Sequence, residues 1–180
     1  QTRMGSTRFP GKVMVKLNEK HKVLDYVINQ LRFCKSIKNL IIATSYLEQD
    51  DVIVKYAKEN DLEYFRGEPL DVLDRYYKCA KEFSLETIVR ITSDAPFLDP
   101  TILDKVISKF QETGCDFASN NITRTYPIGI DAEIFSMRTL EKTWKDAKLP
   151  SEREHVTTFM KKSKEIFKLY NLENNQKIPI

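Results

Sequence analysis

Cysteine is scarce in this chain and never paired in sequence: Cys34, Cys79 and Cys115 lie far apart with no CxxC. That excludes a zinc knuckle and a disulfide framework, and it points to a reducing cytoplasm. Long apolar runs are absent too. None approaches the ~20 residues that a membrane-spanning helix needs, and no signal-peptide pattern opens the sequence. Charge of one sign is not in surplus, because 29 Lys and Arg face 26 Asp and Glu for a net charge of +3. So small an excess gives no argument for nucleic acid as a partner. The sequence has no HExxH, no Ser-His-Asp or Cys-His arrangement, no Gly-x-x-x-x-Gly-Lys-Ser/Thr loop and no GxGxxG, so metalloprotease, triad, Walker and dinucleotide chemistries lack their motifs. The histidines, His21 and His155, stand alone without partners at metal-ligand spacing.

What is present is a chain of 180 residues, 41% apolar and 31% charged, enough for one well-buried domain over residues 1–180. The positive charge that matters is gathered at the front. Gln1 to Lys12 puts Arg3, Arg8 and Lys12 into one loop with Ser6 and two glycines, Gly5 and Gly11. Such a loop can turn its cations onto one anion while the glycines let backbone N–H groups approach it, as a polyphosphate clamp requires. Pro10 stiffens its exit.

Downstream, short β-like runs alternate with helical stripes, the pattern of a layered α/β fold. Stripes through Val23 to Leu31, Val52 to Ala57, Leu70 to Ala80 and Leu103 to Phe110 predict four helices. Leu40 to Thr44, Tyr64-Phe65 and Thr87 to Thr92 predict strands. Asp99-Pro100 reads as a cap with a first-turn proline. Further strands are expected over Asp116 to Ser119 and Asp131 to Phe135, and a helix from about Met137 to Ala147. Ser151 and Glu154 have the spacing of a capping box after Pro150.

In such folds ligands sit at strand C-termini, which singles out Asp94, just past the strand Thr87 to Thr92. A hard carboxylate there suits a divalent cation accompanying phosphates, or an Asx turn into Ala95-Pro96. Asp131 and Glu133 would share one face of a strand, where paired like charges need a cation or donors between them, or open solvent. Asp71 and Arg75 are spaced as an i,i+4 helix pair. Lys161-Lys162-Ser163-Lys164 reads as a solvated helix end.

The segments QTRMGSTRFPGKVM, FRGEPLDVLDRYYKCA, VRITSDAPFLDP, SNNITRTYPIGIDAEIFS and KLPSEREHVTTFM, in that order, resemble the bacterial cytidylyltransferases of the spore coat polysaccharide type. That group is related to acylneuraminate (CMP-sialic acid) and CMP-Kdo synthetases. The resemblance implies a nucleotide-diphospho-sugar transferase fold: a Rossmann-like three-layer α/β/α domain with a mixed sheet. It also implies CTP and a sugar or sugar acid as substrates, Mg2+ as cofactor, a homodimer and a cytoplasmic location. By position, Arg3, Gly5, Ser6, Arg8 and Lys12 are implied to bind the nucleotide phosphates, with Asp74 and Arg75 on the nucleotide side. Asp94 is the implied magnesium carboxylate and, with Arg8 and Lys12, the catalytic group. Asn120, Asp131, Glu133 and His155 fall on the implied sugar side.

Members of the family start with an apolar strand before the Gln1 motif and continue past position 180 into a Val-Asp-x-x-x-Asp-like segment. The expectation is therefore of a trimmed member. Two other readings share the fold, a glycosyltransferase that consumes a ready-made nucleotide sugar and a non-catalytic nucleotide-binding homologue. The first is disfavoured by the lack of an Asp-x-Asp ending a strand.

Overall fold

The computed structural model describes residues 1–5 and 9–174. Strands and helices alternate: α1 (Val23–Arg32), β1 (Ile41–Ser45), α2 (Asp51–Glu59), β2 (Glu63–Gly67), α3 (Val72–Glu82), β3 (Thr87–Arg90) and α4 (Pro100–Thr113). Then come β4 (Phe117–Ser119), β5 (Glu133–Ser136), α5 (Met137–Asp146), α6 (Pro150–Glu154), α7 (Thr158–Lys162) and β6 (Leu169–Asn171). β1 and β2 pair in parallel, while the second sheet has the order β3-β5-β4-β6. β5 runs antiparallel to both its neighbours and β6 parallel to β4, so this sheet is mixed.

Side-chain alternation along the strands decides what each face meets. Ile88, Phe117 and Phe135 turn toward Leu73 and Tyr76 of α3, Leu140 of α5 and Met160 of α7. Ile91, Ala118 and Ile134 turn the other way, onto Val27 and Leu31 of α1 and Leu103 and Val106 of α4. In the smaller sheet Ile42 packs with Leu24, Ile28 and Ile53, and Ala43 and Phe65 with Cys79. Helices thus cover both faces, giving the expected three-layer α/β/α fold. Each large apolar side chain buried this way stabilises the fold by ~1.5–3 kcal/mol.

Among the described residues the two sheets are separate. An apolar slot of about 690 Å³, lined by Ile28, Ile42, Tyr76, Ile88 and Ile134 among others, lies between β1 and β3. The opening residues bridge it at one end. Thr2 N donates to Ala43 O at 3.0 Å, Ser93 N to Gln1 O at 3.2 Å, and Gln1 N to Ile91 O at 2.9 Å.

Helix starts follow side-chain capping. Asp99 Oδ1 accepts from Thr101 N at 2.8 Å and Ile102 N at 3.0 Å ahead of Pro100, as the sequence predicts. Asp71 caps α3 through Asp74 N at 2.9 Å. That leaves Leu70, expected on the apolar stripe, outside the helix and 81% exposed. The capping box expected at Ser151 and Glu154 is also displaced. Pro150 is the first residue of α6, a position that costs no needed donor. Glu152 Oε2, instead of Glu154, accepts from Leu149 N at 3.2 Å. Strands stop short of their apolar runs, so Thr92 follows β3 and Asp116 and Asp131 precede β4 and β5.

Candidate active site

The front loop is held by a carboxylate just ahead of α2. Asp50 is fully buried; its Oδ1 accepts from Met4 N at 2.6 Å and its Oδ2 from the Ser45 hydroxyl. A buried carboxylate needs such donors, and here they tie the loop to the end of β1. The loop closes on itself through Gly11 N to Met4 O at 2.8 Å. Gly11 has φ +71, in the left-handed region that favours glycine. The next residue, Lys12, opens a 3-10 turn to Met14 and sends its ammonium across to Asp94 Oδ2.

Lys12 and Asp94 are 30% and 43% exposed at their side chains. Burial pushes the Asp94 carboxyl up, but hydrogen bonds from Lys12 and Thr92 outweigh it and hold the group below the usual range. Arg3 lies on the same loop, its Nη1 donating to Pro69 O at 2.8 Å and its Nη2 3.6 Å from Glu154 Oε1. Gly5 belongs to the described part of the loop, whereas Ser6 and Arg8 lie outside the described residues.

Arg75 shapes the ground under Arg3. It is 1% exposed, and its Nε donates to Glu68 O at 3.0 Å and its Nη2 to Pro69 O at 2.9 Å. Burial foremost, then the nearby Arg3 charge, pulls its pKa down. Gly67 makes room for it, since a Cβ there would stand 2.9 Å from Arg75 Cγ. The expected Asp71–Arg75 helix pair does not form. Asp71 accepts instead from Arg153, with Nε at 3.0 Å and Nη2 at 2.5 Å, because Arg75 is drawn to the carbonyls of the preceding turn. Asp74 is likewise buried, accepting from Trp144 Nε1 at 2.9 Å and pairing with Lys78 at 2.8 Å.

The end of β3 lies beside the start of β5, because Arg90 is register partner of Glu133. Glu133 is 3% exposed and accepts from Arg90 Nη1 at 2.6 Å, Lys161 Nζ at 2.6 Å and Thr157 Oγ1 at 3.1 Å. Burial would raise its pKa, yet Arg90 and Lys161 overcome that and hold it low. Lys161 also donates to Asn121 Oδ1 at 2.7 Å. The run 161–164 is therefore not a uniformly solvated helix end, since its first lysine is drawn to a buried carboxylate and Ser163 is buried as well.

Asp131, two residues before Glu133, is half-buried and held bidentately by Arg124 at 2.8 and 3.0 Å. Asn120 is 1% exposed and clamps both ends of the 121–130 loop. Its Nδ2 donates to Ile130 O at 2.8 Å and its Oδ1 accepts from Ala132 N at 2.9 Å. His155 is exposed just after α6, its N–H on Ser151 O at 3.0 Å.

Two groups emerge. Arg3, Lys12, Asp94 and Asp131 are partly open, while Asp74, Arg75, Asn120 and Glu133 are buried in polar bonds that hold the surrounding loops. Among the described residues no three His, Cys, Asp or Glu side chains converge as a metal cage. A magnesium site built from one carboxylate and substrate phosphates needs none. Asp94 suits that role, being an ionised hard-oxygen donor at a strand end on which a cationic group, the Lys12 ammonium, is already seated.

A family profile described as cytidylyltransferase matches residues 1–177. The spore coat polysaccharide biosynthesis protein SpsF of Bacillus subtilis is 33% identical over 178 residues, covering 96% of this chain and 72% of that protein. A solved cytidylyltransferase from Leptospira borgpetersenii superposes with TM-score 0.91 at 35% identity, over 97% of this chain and 74% of its own. An 8-amino-3,8-dideoxy-manno-octulosonate cytidylyltransferase of Shewanella baltica is 29% identical over 125 residues, 64% of this chain and 47% of that protein.

Proposed function

The chain belongs to the cytidylyltransferase family, a family of CTP-utilising nucleotidyltransferases, and we propose on that premise that it joins CTP to a sugar. A sugar hydroxyl oxygen bonds to the α-phosphorus as the bond from that phosphorus to the β-phosphate oxygen breaks. Pyrophosphate leaves, the hydroxyl proton passes to solvent, and a CMP-sugar remains. The observation that carries this reading is the meeting of Lys12 with Asp94, which sets a clamp cation and a strand-end carboxylate at one place.

In this reading Arg3, Lys12 and the loop segment containing Gly5, Ser6 and Arg8 take the triphosphate. Arg75 holds the turn beneath Arg3, and Asp74 holds the start of α3, on the nucleotide side. Asp94 would hold a magnesium ion, whose charge would offset that of the phosphates. No side chain is needed as nucleophile, because alignment and charge neutralisation supply the rate. Asp131 and His155 face the sugar, with Asn120 and Glu133 fixing the loops behind them.

The relative acting on an octulosonate supports a keto-sugar acid as acceptor. The relative named for spore coat polysaccharide supports a product destined for surface glycan. A homodimer working in the cytoplasm completes the proposal; no helix among the described residues is long and apolar enough to cross a membrane.

Incubation with each of four nucleoside triphosphates and a panel of keto-sugar acids should release pyrophosphate with CTP alone. Asp94→Ala should lower kcat by roughly 10²–10³-fold, the usual effect of losing one group that stabilises transition-state charge. Equal release from ATP and CTP, or unchanged turnover in Asp94→Ala, would refute it.

A further inference from the structure

Both described cations of the front loop are already engaged within the protein, Arg3 on the Pro69 carbonyl and Lys12 on Asp94. The second contact matters more. Asp94 is the carboxylate that the proposed function gives to a metal ion, and Lys12 is a group that it gives to phosphate. Each therefore occupies the other until ligands arrive.

We infer that Lys12 is a built-in competitor of the metal for Asp94, so that the site takes cation and polyphosphate as a coupled pair. A metal ion alone must displace the ammonium and then sit beside it, two cations on one carboxylate. A polyphosphate alone draws Lys12 away and leaves Asp94 uncompensated beside new negative charge. When both bind, Lys12 moves to a phosphate oxygen while Asp94 receives the metal, and neither charge is left without a partner. Since coupling between two ligands is reciprocal, each should strengthen the binding of the other by the same factor. Loss of either partner of the pair should then improve binding of one ligand while harming the other.

The inference rests on the proposed roles of Asp94 and the loop, and its test needs neither sugar nor turnover. Mn2+ alone is titrated by the electron paramagnetic resonance of the free ion, and inorganic tripolyphosphate alone by calorimetry with chelator present. Lys12→Met should bind Mn2+ alone roughly tenfold more tightly than the parent, within the ordinary range of coupling factors, and tripolyphosphate more weakly. Asp94→Asn should bind metal-free tripolyphosphate several-fold more tightly, roughly by the same coupling, and should lose Mn2+ binding. Lys16→Met removes the same charge from an exposed lysine whose ammonium donates to Glu19 O, and should leave Mn2+ affinity at the parent value. Circular dichroism melting checks that each variant is folded, and either member of the pair suffices for the test. The inference fails if Lys12→Met gains no Mn2+ affinity, if Lys16→Met gains as much, or if Asp94→Asn gains no tripolyphosphate affinity. Because no CMP-sugar is measured, a chain that shows this coupling without cytidylyl transfer refutes only the proposed reaction.

Discussion

At the scale of single residues, Glu133 shows how a buried charge is held by the ion pairs around it. It is buried between Arg90 and Lys161, and removing one member of a buried ionic cluster costs ~3–5 kcal/mol because the others lose their counter-charge. Glu133→Gln should therefore lower stability by about that much at neutral pH, read from urea denaturation. The pH dependence follows from the direction of the shift. The folded pKa lies below the usual 4.5, so the stabilisation is fully present above 4.5 and is lost as pH falls through the folded value. The parent should lose stability in acid more steeply than Glu133→Gln over that window. Parallel acid profiles would rule the account out.

The sequence predicts a cation, donors or open solvent for Asp131 and Glu133 and does not decide among them. Arg124 is seven residues from Asp131, whereas Arg90 and Lys161 come from 43 and 28 residues away. Spacing along the chain carries no signal at such separations. Asp50 is a similar case. An acid at a helix start is ordinary, and only the fold shows that it grips Met4 N.

At the scale of elements, the start of α3 is the junction on which most depends. Asp71 caps the helix and also receives Arg153 from α6, while Arg153 Nη1 reaches Trp144 O of α5 at 2.8 Å. Three helices are thus tied at one guanidinium. With side chains 22% and 33% exposed, the pair is partly screened, which brings its worth to ~1–2 kcal/mol, between exposed and charge-assisted buried values. Arg153→Ala should cost about that much, and Asp71→Ala ~1 kcal/mol more because the cap is lost with it. A double-mutant cycle should return a coupling near ~1 kcal/mol, and a coupling of zero would show that the helices are joined by apolar packing alone.

Elements with full apolar stripes, such as α4 behind Asp99-Pro100, are legible almost residue by residue. The helix that the sequence opens at Ser151 and ends at Lys161 to Lys164 is divided in the fold into α6 and α7, and β6 is not legible because three residues are too few to display a period. The apolar or alternating patterning that predicts strand at Thr92 and Asp131 continues past the last ladder bonds of β3 and β5.

At the scale of the whole molecule, the sheets are joined differently on their two sides. β5 is paired along both edges, by β3 and β4, whereas among the described residues β1 is paired with β2 alone and turns its other edge to the slot. The links across that slot come from Gln1 and Thr2 at one end, with α3 packed beneath both sheets. Backbone groups left without a ladder partner open at lower free energy than those held on two sides. In the chain of residues 1–180, amide exchange should therefore be at least about tenfold faster for Ala43 and its neighbours in β1 than for Ile134 and Phe135, under conditions where exchange reports local opening. Tripolyphosphate with Mn2+ should slow β1 exchange, because ligands that order the front loop also fix Thr2 on Ala43 O. Equal protection in β1 and β5 without ligand would mean that side-chain packing across the slot, rather than backbone pairing, makes the two sheets one cooperative unit. In that case the front loop could be ordered by ligand with no change at β1.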